Sequence, residues 1–460
     1  MLKNIDRKWW VLVVIGVGSF MSALDASVVN TILPVLRTAF NSNVAAIEWV
    51  VTVYLLVLTG LLLTFGRLGD LRGHKSIYVW GFGIFVAGSA LSGMAWSDTT
   101  LVIFRALQAI GGAMLASNSP AIVTGNIPPA QRGRAFGLVS TMTYLGLTVG
   151  PSLGGWLTQA IGWRSVFYIN VPVGGLALAL SLLFIPKDAP AESGQRFDLP
   201  GAAVFLVGLT AFMLGLNKGA AWGWTSPAVL GLLAGAIVLL AVFIQIERRS
   251  QAPMLDLSLF RIPLFSTAAA SAVLNYICVY AITFLMPFYL IQGRGLNPAQ
   301  AGLFLTVQPI LMAITAPISG ALSDKIGSRW PGMIGMGVLA VGLFLLSQLG
   351  SETGLWLAVL GLAIAGSGTG TFISPNTSAL MGAAPRARQG IASGVQAAAR
   401  NFGMVLGIGL AGAIFTTRLA QNTADALYLG IDQGFLVAAG VAVLGIVMSA
   451  IKDESHRQPA

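Results

Sequence analysis

Two residues of this chain combine a charge with a setting that lets the charge do chemistry. Asp25 and Arg105 each sit inside a long apolar run, near 9–34 and 101–123. An ionised carboxylate near the centre of a bilayer costs at least about 2.5–3.5 kcal/mol, so such a group faces a cavity or a partner and is functional by default. Asp25 lies about 15 residues, roughly 22 Å, from the start of its run, and Arg105 about 8 residues, roughly 12 Å, from the opposite face. The two fall at similar depth in a hydrocarbon core of about 30 Å. Asp25 then either carries a proton, alternating between surroundings that favour and disfavour its charge, or forms a static pair that neutralises Arg105. Arg400, about 9 residues into a later run, either bonds backbone carbonyls as a packing device or faces a cavity and attracts an anionic or polar ligand group. Uncharged polar and amphipathic groups at the same depth are candidates to line a binding cavity. In the first half these are Asn30, Tyr54, Gln108, Asn118 and Tyr144, and in the second Asn275, Tyr276, Gln308, Asn376 and Gln396. Each is equally able to bond one helix to another. His74 and His456 are far apart and Cys278 is alone, so no catalytic residue, metal site or cofactor is expected.

The elements that position these groups follow from composition. Of 460 residues 56% are hydrophobic and 9% charged, against about 25% charged in soluble domains. That excludes a cytosolic enzyme, a disulfide scaffold and a disordered chain, and predicts an all-α integral membrane protein. Spans of about 20 apolar residues fall near 9–34, 46–66, 77–96, 101–123, 136–160, 166–186, 200–217, 227–246, 266–291, 300–322, 332–350, 354–380, 391–416 and 434–451. The first is too long for a signal-peptide core and reads as a retained helix. With the amino terminus inside, only Arg37, Arg164, Lys218, Arg294 and Arg418 fall outside, and Arg105 and Arg400 fall within spans. The other 19 Lys and Arg residues, Lys3, Arg196, Lys452 and Arg457 among them, lie on the cytoplasmic side. This asymmetry satisfies the positive-inside rule and places both termini in the cytoplasm. The net charge of +10 is scattered rather than gathered on a face, so nucleic acid is not an expected partner.

An internal repeat organises the spans. Gly66-Arg67-Leu68-Gly69-Asp70-Leu71-Arg72-Gly73-His74-Lys75 after the second span is echoed 254 residues later by Gly320-Ala321-Leu322-Ser323-Asp324-Lys325-Ile326-Gly327-Ser328-Arg329 after the tenth. Pro129, Arg132 and Gly137 are echoed by Pro385, Arg388 and Gly394. The expected plan is a six-helix bundle over 1–188, an inserted pair with its linkers over 189–261, and a second six-helix bundle over 262–460. Parallel repeats of this kind describe a transporter with a central site between rocking halves.

At these residues the chain resembles the major facilitator superfamily, and within it the fourteen-helix drug:proton antiporter branch. The loop motif is matched at Gly66, Leu68, Asp70, Gly73 and Lys75, with His74 where Arg is commoner. A first-helix motif is matched by Leu24-Asp25-Ala26-Ser27-Val28-Val29-Asn30 through Leu33-Pro34, with Ser27 where Thr is usual. The fourth-helix motif appears as Arg105, Gln108, Gly111 and Gly112, and the antiporter motif of the fifth as Gly146, Gly150, Pro151, Gly154 and Gly155. Phe197-Asp198-Leu199-Pro200-Gly201 with Trp222-Gly223-Trp224 looks like the lead into this branch's inserted pair.

The resemblance implies a conformational latch at Gly66, Arg67, Asp70, Arg72, Gly73 and Lys75, repeated at Asp324, with Asp70 meeting a helix N-terminus or an Arg. The alternative is a solvated turn that only enforces topology. It implies proton coupling through Asp25 and Arg105, and a fifth helix thinned and kinked by its Gly and Pro residues. The expected function is a monomeric cell-membrane exporter of amphipathic small molecules such as drugs, driven by proton entry and using no cofactor. Its partners are the substrate, protons and the lipid bilayer. Export of a lipid-like amphiphile is the alternative on the same fold, and a polytopic membrane enzyme a remote one.

Overall fold

A computed structural model describes residues 6–187, 197–223, 225–250, 253–419 and 425–451. Lys3, Arg196, Trp224, Lys452, His456 and Arg457 lie outside the described residues, as does the beginning of the 189–261 insert. Among those described, the chain forms fourteen membrane-length helical segments. The first eight are α1 (Arg7–Ala39), α2 (Val44–Arg72), α3 (His74–Gly93), α4 (Asp98–Asn126), α5 (Arg132–Ala160), α6 (Ser165–Phe184), α7 (Leu199–Trp222) and α8 (Pro227–Arg249). The rest are α9 (Pro263–Pro287, with a π turn over Phe288–Gly293), α10 (Pro298–Leu305 and Val307–Ile326), α11 (Arg329–Ser347), α12 (Leu355–Ala383), α13 (Gln389–Leu419) and α14 (Ala426–Ala450). Helices satisfy every backbone group internally, which a hydrocarbon solvent demands. Thirteen are long and apolar enough to cross a membrane. The exception, α5, is rich in Gly, Ser and Thr, which it uses against its neighbours.

Side chains set the ends. Asn43, Ser97, Ser226 and Asn297 cap α2, α4, α8 and α10 by accepting the N–H three residues on. Gly73 and Gly327, the last glycines of the repeated frame, end α2 and α10 at φ 93° and 90°, a left-handed conformation that only glycine adopts without strain.

Helix pairing follows the sequence repeat. In the first half α1 packs on α5 and α6, α4 on α2 and α3, and α3 on α6. In the second half α9 packs on α13 and α14, α12 on α10 and α11, and α11 on α14. Adding eight to each number of the first set gives the second. Between halves α2 meets α13 and α5 meets α10, contacts that exchange under the same two-fold relation. The inserted helices α7 and α8 pair with each other, and α7 leans on α2 and α13. Exposed Leu, Ile, Val and Trp side chains ring the bundle, Trp80, Trp156, Trp330 and Trp356 among them, as a lipid-facing surface requires.

Candidate functional site: a buried charge cluster and two carboxylate–helix contacts

Five helices of the first half converge on Asp25. Arg105 Nη1 donates to Asp25 Oδ2 at 2.7 Å, and both side chains are almost wholly buried. Gln108, one turn from Arg105 on α4, donates its Nε2 to Asp25 Oδ1 at 2.9 Å and accepts from Arg105 Nη1 at 2.7 Å. Asn170 of α6 donates a further bond to Asp25 Oδ1 at 2.9 Å and another to Ser89 Oγ of α3 at 3.0 Å. Arg105 also reaches the Val50 carbonyl of α2 at 3.4 Å, and its guanidinium lies 4.2 Å from the centre of the Tyr54 ring. All three partners of the Asp25 oxygens donate, the set that an acceptor-only carboxylate takes. Removing one member of a buried pair like this leaves the other charge uncompensated, at about 3–5 kcal/mol.

Glycines hold α1 where Asp25 can enter the cluster. A methyl group on Gly146 would lie 2.5 Å from the Phe20 carbonyl oxygen, one on Gly150 would collide with Ser27 Oγ, and one on Gly154 would lie 2.7 Å from Val28 Cγ1. Ser27 Oγ donates to the Leu24 carbonyl at 3.0 Å and to that of Gly146 at 3.3 Å. The seam is thus Gly146, Gly150 and Gly154, spaced by four along one face of α5. Gly155 has nothing within 4 Å of such a methyl, and Pro151 is exposed. Those two motif residues lie off the α1 contact, and α5 runs unbroken through Pro151.

The second feature is a pair of carboxylate-to-helix contacts at the end of the bundle that carries the α2–α3 and α10–α11 turns. The Asp70 carboxylate accepts the N–H groups of Gly390 (2.7 Å) and Ile391 (3.0 Å) at the N-terminus of α13. Asp324 accepts those of Gly133 (2.7 Å) and Arg134 (2.9 Å) at the N-terminus of α5. Both use the orphan donors and positive end of a helix. The approach needs glycine. A methyl group on Gly66 would strike the Gly390 carbonyl and one on Gly390 the Gly66 carbonyl, and Gly133 and Gly320 are related in the same way. Around Asp70, His74 Nε2 lies 3.4 Å from Oδ1 while His74 Nδ1 meets Asn118 Oδ1 at 2.8 Å. Lys75 donates to the Leu182 and Ile185 carbonyls at the end of α6 (2.9 and 2.6 Å), and Arg67 is buried whereas Arg72 is exposed.

Further hydrogen bonds between the halves join Ser374 Oγ to the Gly133 carbonyl (2.6 Å), Thr141 Oγ1 to the Ala313 carbonyl (2.8 Å) and Asn401 Nδ2 to Thr59 Oγ1 (3.0 Å). Asn401 stands eleven residues from Gly390, about 16 Å along the helix. Asn30, toward the other end, is exposed and, among the described residues, bonds its own helix at the Ala26 carbonyl (3.0 Å).

The other polar candidates are spread out. Asn118 bonds His74, beside Asp70, and the Phe65 carbonyl rather than the charge cluster. Asn275 donates to Met336 Sδ (3.4 Å), Asn376 to the Ala268 carbonyl (3.0 Å) and Gln396 to Thr377 Oγ1 (2.7 Å), each joining two helices of the second half. Gln308 is buried, and its Nε2 has no partner among the described residues. Tyr54, Tyr144 and Tyr276 lie within electrostatic reach of Arg400, as does Tyr280. Sequence reasoning missed Asn170, Ser89 and Tyr280. Asn170, a polar residue in an apolar run just ahead of Pro172, carried the same signal as the groups that were named.

The sequence profile of the Major Facilitator Superfamily matches residues 15–272 and 268–460. The chain is 34% identical over 450 residues to the riboflavin transporter RibZ of Clostridioides difficile (strain 630), covering 97% of each. It is 34% identical over 414 residues to the multidrug resistance protein Stp of Mycobacterium tuberculosis (strain ATCC 25618 / H37Rv), covering 89% of this chain and 76% of Stp. The crystal structure of the human organic anion transporter MFSD10 (TETRAN) superposes with a TM-score of 0.69 at 17% identity, covering 97% of this chain and 100% of that one. A fourteen-segment helical bundle with two-fold pairing, matched along nearly its whole length by this profile and these relatives, is a multi-pass membrane transporter and not an enzyme: the chain belongs to the Major Facilitator Superfamily, in its drug-efflux branch.

Proposed function

We propose that this transporter is a proton-coupled exporter that takes amphipathic small molecules from the cytoplasm or inner leaflet and releases them outside as protons enter. The observation that carries this reading is the buried Asp25–Arg105–Gln108–Asn170 cluster, a protonatable carboxyl held by three side chains inside the first half. In the arrangement described, Arg105, Gln108 and Asn170 all donate to the Asp25 carboxyl. A proton arriving from outside neutralises Asp25 and releases Arg105, and that change biases the two halves toward the other arrangement. Energy is available, since each 100 mV contributes about 2.3 kcal/mol per charge moved.

On this reading the latched end is cytoplasmic, both termini are cytoplasmic, and the described arrangement is closed inward. The bonds between the halves near the latches and the exposure of Asn30 toward the far end support it. The Asp70 and Asp324 latches hold that state, the units 1–188 and 262–460 rock against each other, and 189–261 rides on the α2–α13 side. Stp, named a multidrug resistance protein, supports drug-like substrates, and on this reading the monomer in the cell membrane is the working unit.

The test is flux in proteoliposomes under an imposed pH gradient, over a panel of amphiphiles. Transport should collapse with the gradient, and Asp25→Asn should abolish gradient-driven accumulation while leaving downhill exchange. Accumulation that persists in Asp25→Asn, or that ignores the gradient, overturns the reading.

A further inference from the structure

Of the three charged residues placed in the interior, two cancel. Asp25 neutralises Arg105. Arg400 is different, because among the described residues no carboxylate pairs with it and no carbonyl accepts from it. Packing arginines in this fold behave otherwise. Arg132 donates to the Thr124 carbonyl at 2.8 Å, Arg164 to the Ala95 carbonyl at 3.2 Å, and even Arg105 adds the Val50 carbonyl. The packing role that sequence alone left open for Arg400 therefore lacks its bonds.

Its depth makes an unpaired charge costly. Arg400 lies ten residues from Gly390, about 15 Å along α13, which is half of a core of about 30 Å. Its chain neighbour Asn401 bonds Thr59 of the opposite half, so this stretch of α13 borders the interface between halves. Arg400 is half-buried rather than sealed. Tyr54, Tyr144, Tyr276 and Tyr280 lie within electrostatic reach of it, and Tyr54 is also within reach of Asp25 and Arg105. One turn away on the same face, Gln396 Oε1 is buried and has no partner.

We propose that Arg400 selects substrate by charge, and that the transported compounds are amphipathic organic monoanions whose acidic group docks on this guanidinium. The proposal rests on the export reading above and adds the substrate class to it. A guanidinium in a low-dielectric setting binds a carboxylate or sulfonate in fork geometry, and the tyrosines supply hydroxyl donors and ring faces for an aromatic body. A cation would meet uncompensated positive charge there. The direction of transport agrees, since an anion leaving and a proton entering an inside-negative cell both move with the membrane potential.

The experiment uses one dansyl-type amphiphile as its carboxylate and as its primary amide, with the purified full chain in nanodiscs for binding and in proteoliposomes for flux. The wild type should bind the carboxylate at least tenfold more tightly than the amide. Arg400→Gln should erase that preference while binding the amide within twofold of wild type, and Arg400→Lys should restore part of it. If Arg400→Gln fails to fold, Arg400→Lys against Tyr276→Phe decides, because only the former should shift the carboxylate-to-amide ratio. Equal affinity for the two probes in the wild type, or equal weakening of both in Arg400→Gln, overturns the proposal. Charge-selective binding without gradient-driven flux upholds it and overturns the export reading. Gradient-driven flux without charge selection does the reverse.

Discussion

Replacing the latch carboxylates should open the latched end by an amount that can be worked out from its bonds. Asp70 accepts two backbone N–H groups at the start of α13, and Asp324 accepts two at the start of α5. Hydrogen bonds to a charged group contribute about 1.5–3 kcal/mol each, and a charge at a helix N-terminus up to about 2 kcal/mol. Asparagine keeps one acceptor oxygen and loses the charge and the second bond, so each substitution should cost the latched state about 2 kcal/mol, or about 30-fold in its population ratio. The two latches bias one equilibrium from opposite sides of the two-fold, so Asp70→Asn with Asp324→Asn should cost about 4 kcal/mol, near 1,000-fold. The readout is the maleimide labelling rate of Asn30→Cys, an exposed position toward the far end. The native Cys278 is buried against the Ala438 carbonyl, so background labelling is low. Each single variant should slow labelling and the pair should slow it more than either. An unchanged rate in the double variant, with the protein folded, would refute the assignment of the latched state as the one that exposes Asn30.

Three further outcomes follow from local geometry. Gly150→Ala places a methyl on Ser27 Oγ and should destabilise the protein by about 1–3 kcal/mol in thermal unfolding, whereas Gly155→Ala meets open space and should be neutral or slightly stabilising. Asn170→Ala removes a donor from the buried Asp25 carboxylate and should cost about 1–3 kcal/mol together with gradient-driven flux. Asn170→Gln should return part of both. Asp256→Asn breaks an ion pair with the partly exposed Arg388, so unfolding should shift by less than about 1 kcal/mol and flux should hold.

Much of this was legible because a bilayer restricts the chain so strongly. Scarcity of charge marked the helices, and the repeated Gly66–Gly73 and Gly320–Gly327 frames marked the two-fold plan. The similar depths computed for Asp25 and Arg105 were enough to suggest that they meet. Depth along an axis, however, says nothing about which face of a helix looks inward. That is why Asn118, chosen for its depth, bonds His74 beside Asp70 rather than the charge cluster, and why Asn170 was passed over although it donates to Asp25. The antiporter motif shows the same limit, since Gly154 and Gly155 read alike in sequence but only Gly154 faces α1.

Sequence by itself determined the solvent, the number of helices, the repeat and the short set of interior charges, because each depends only on composition and spacing along one axis. Tertiary structure decided which charges are paired. Asp25 gains three donors from α4 and α6, while no acceptor among the described residues meets Arg400, and that difference arises from rotations and crossings of helices up to hundreds of residues apart, which no local pattern encodes.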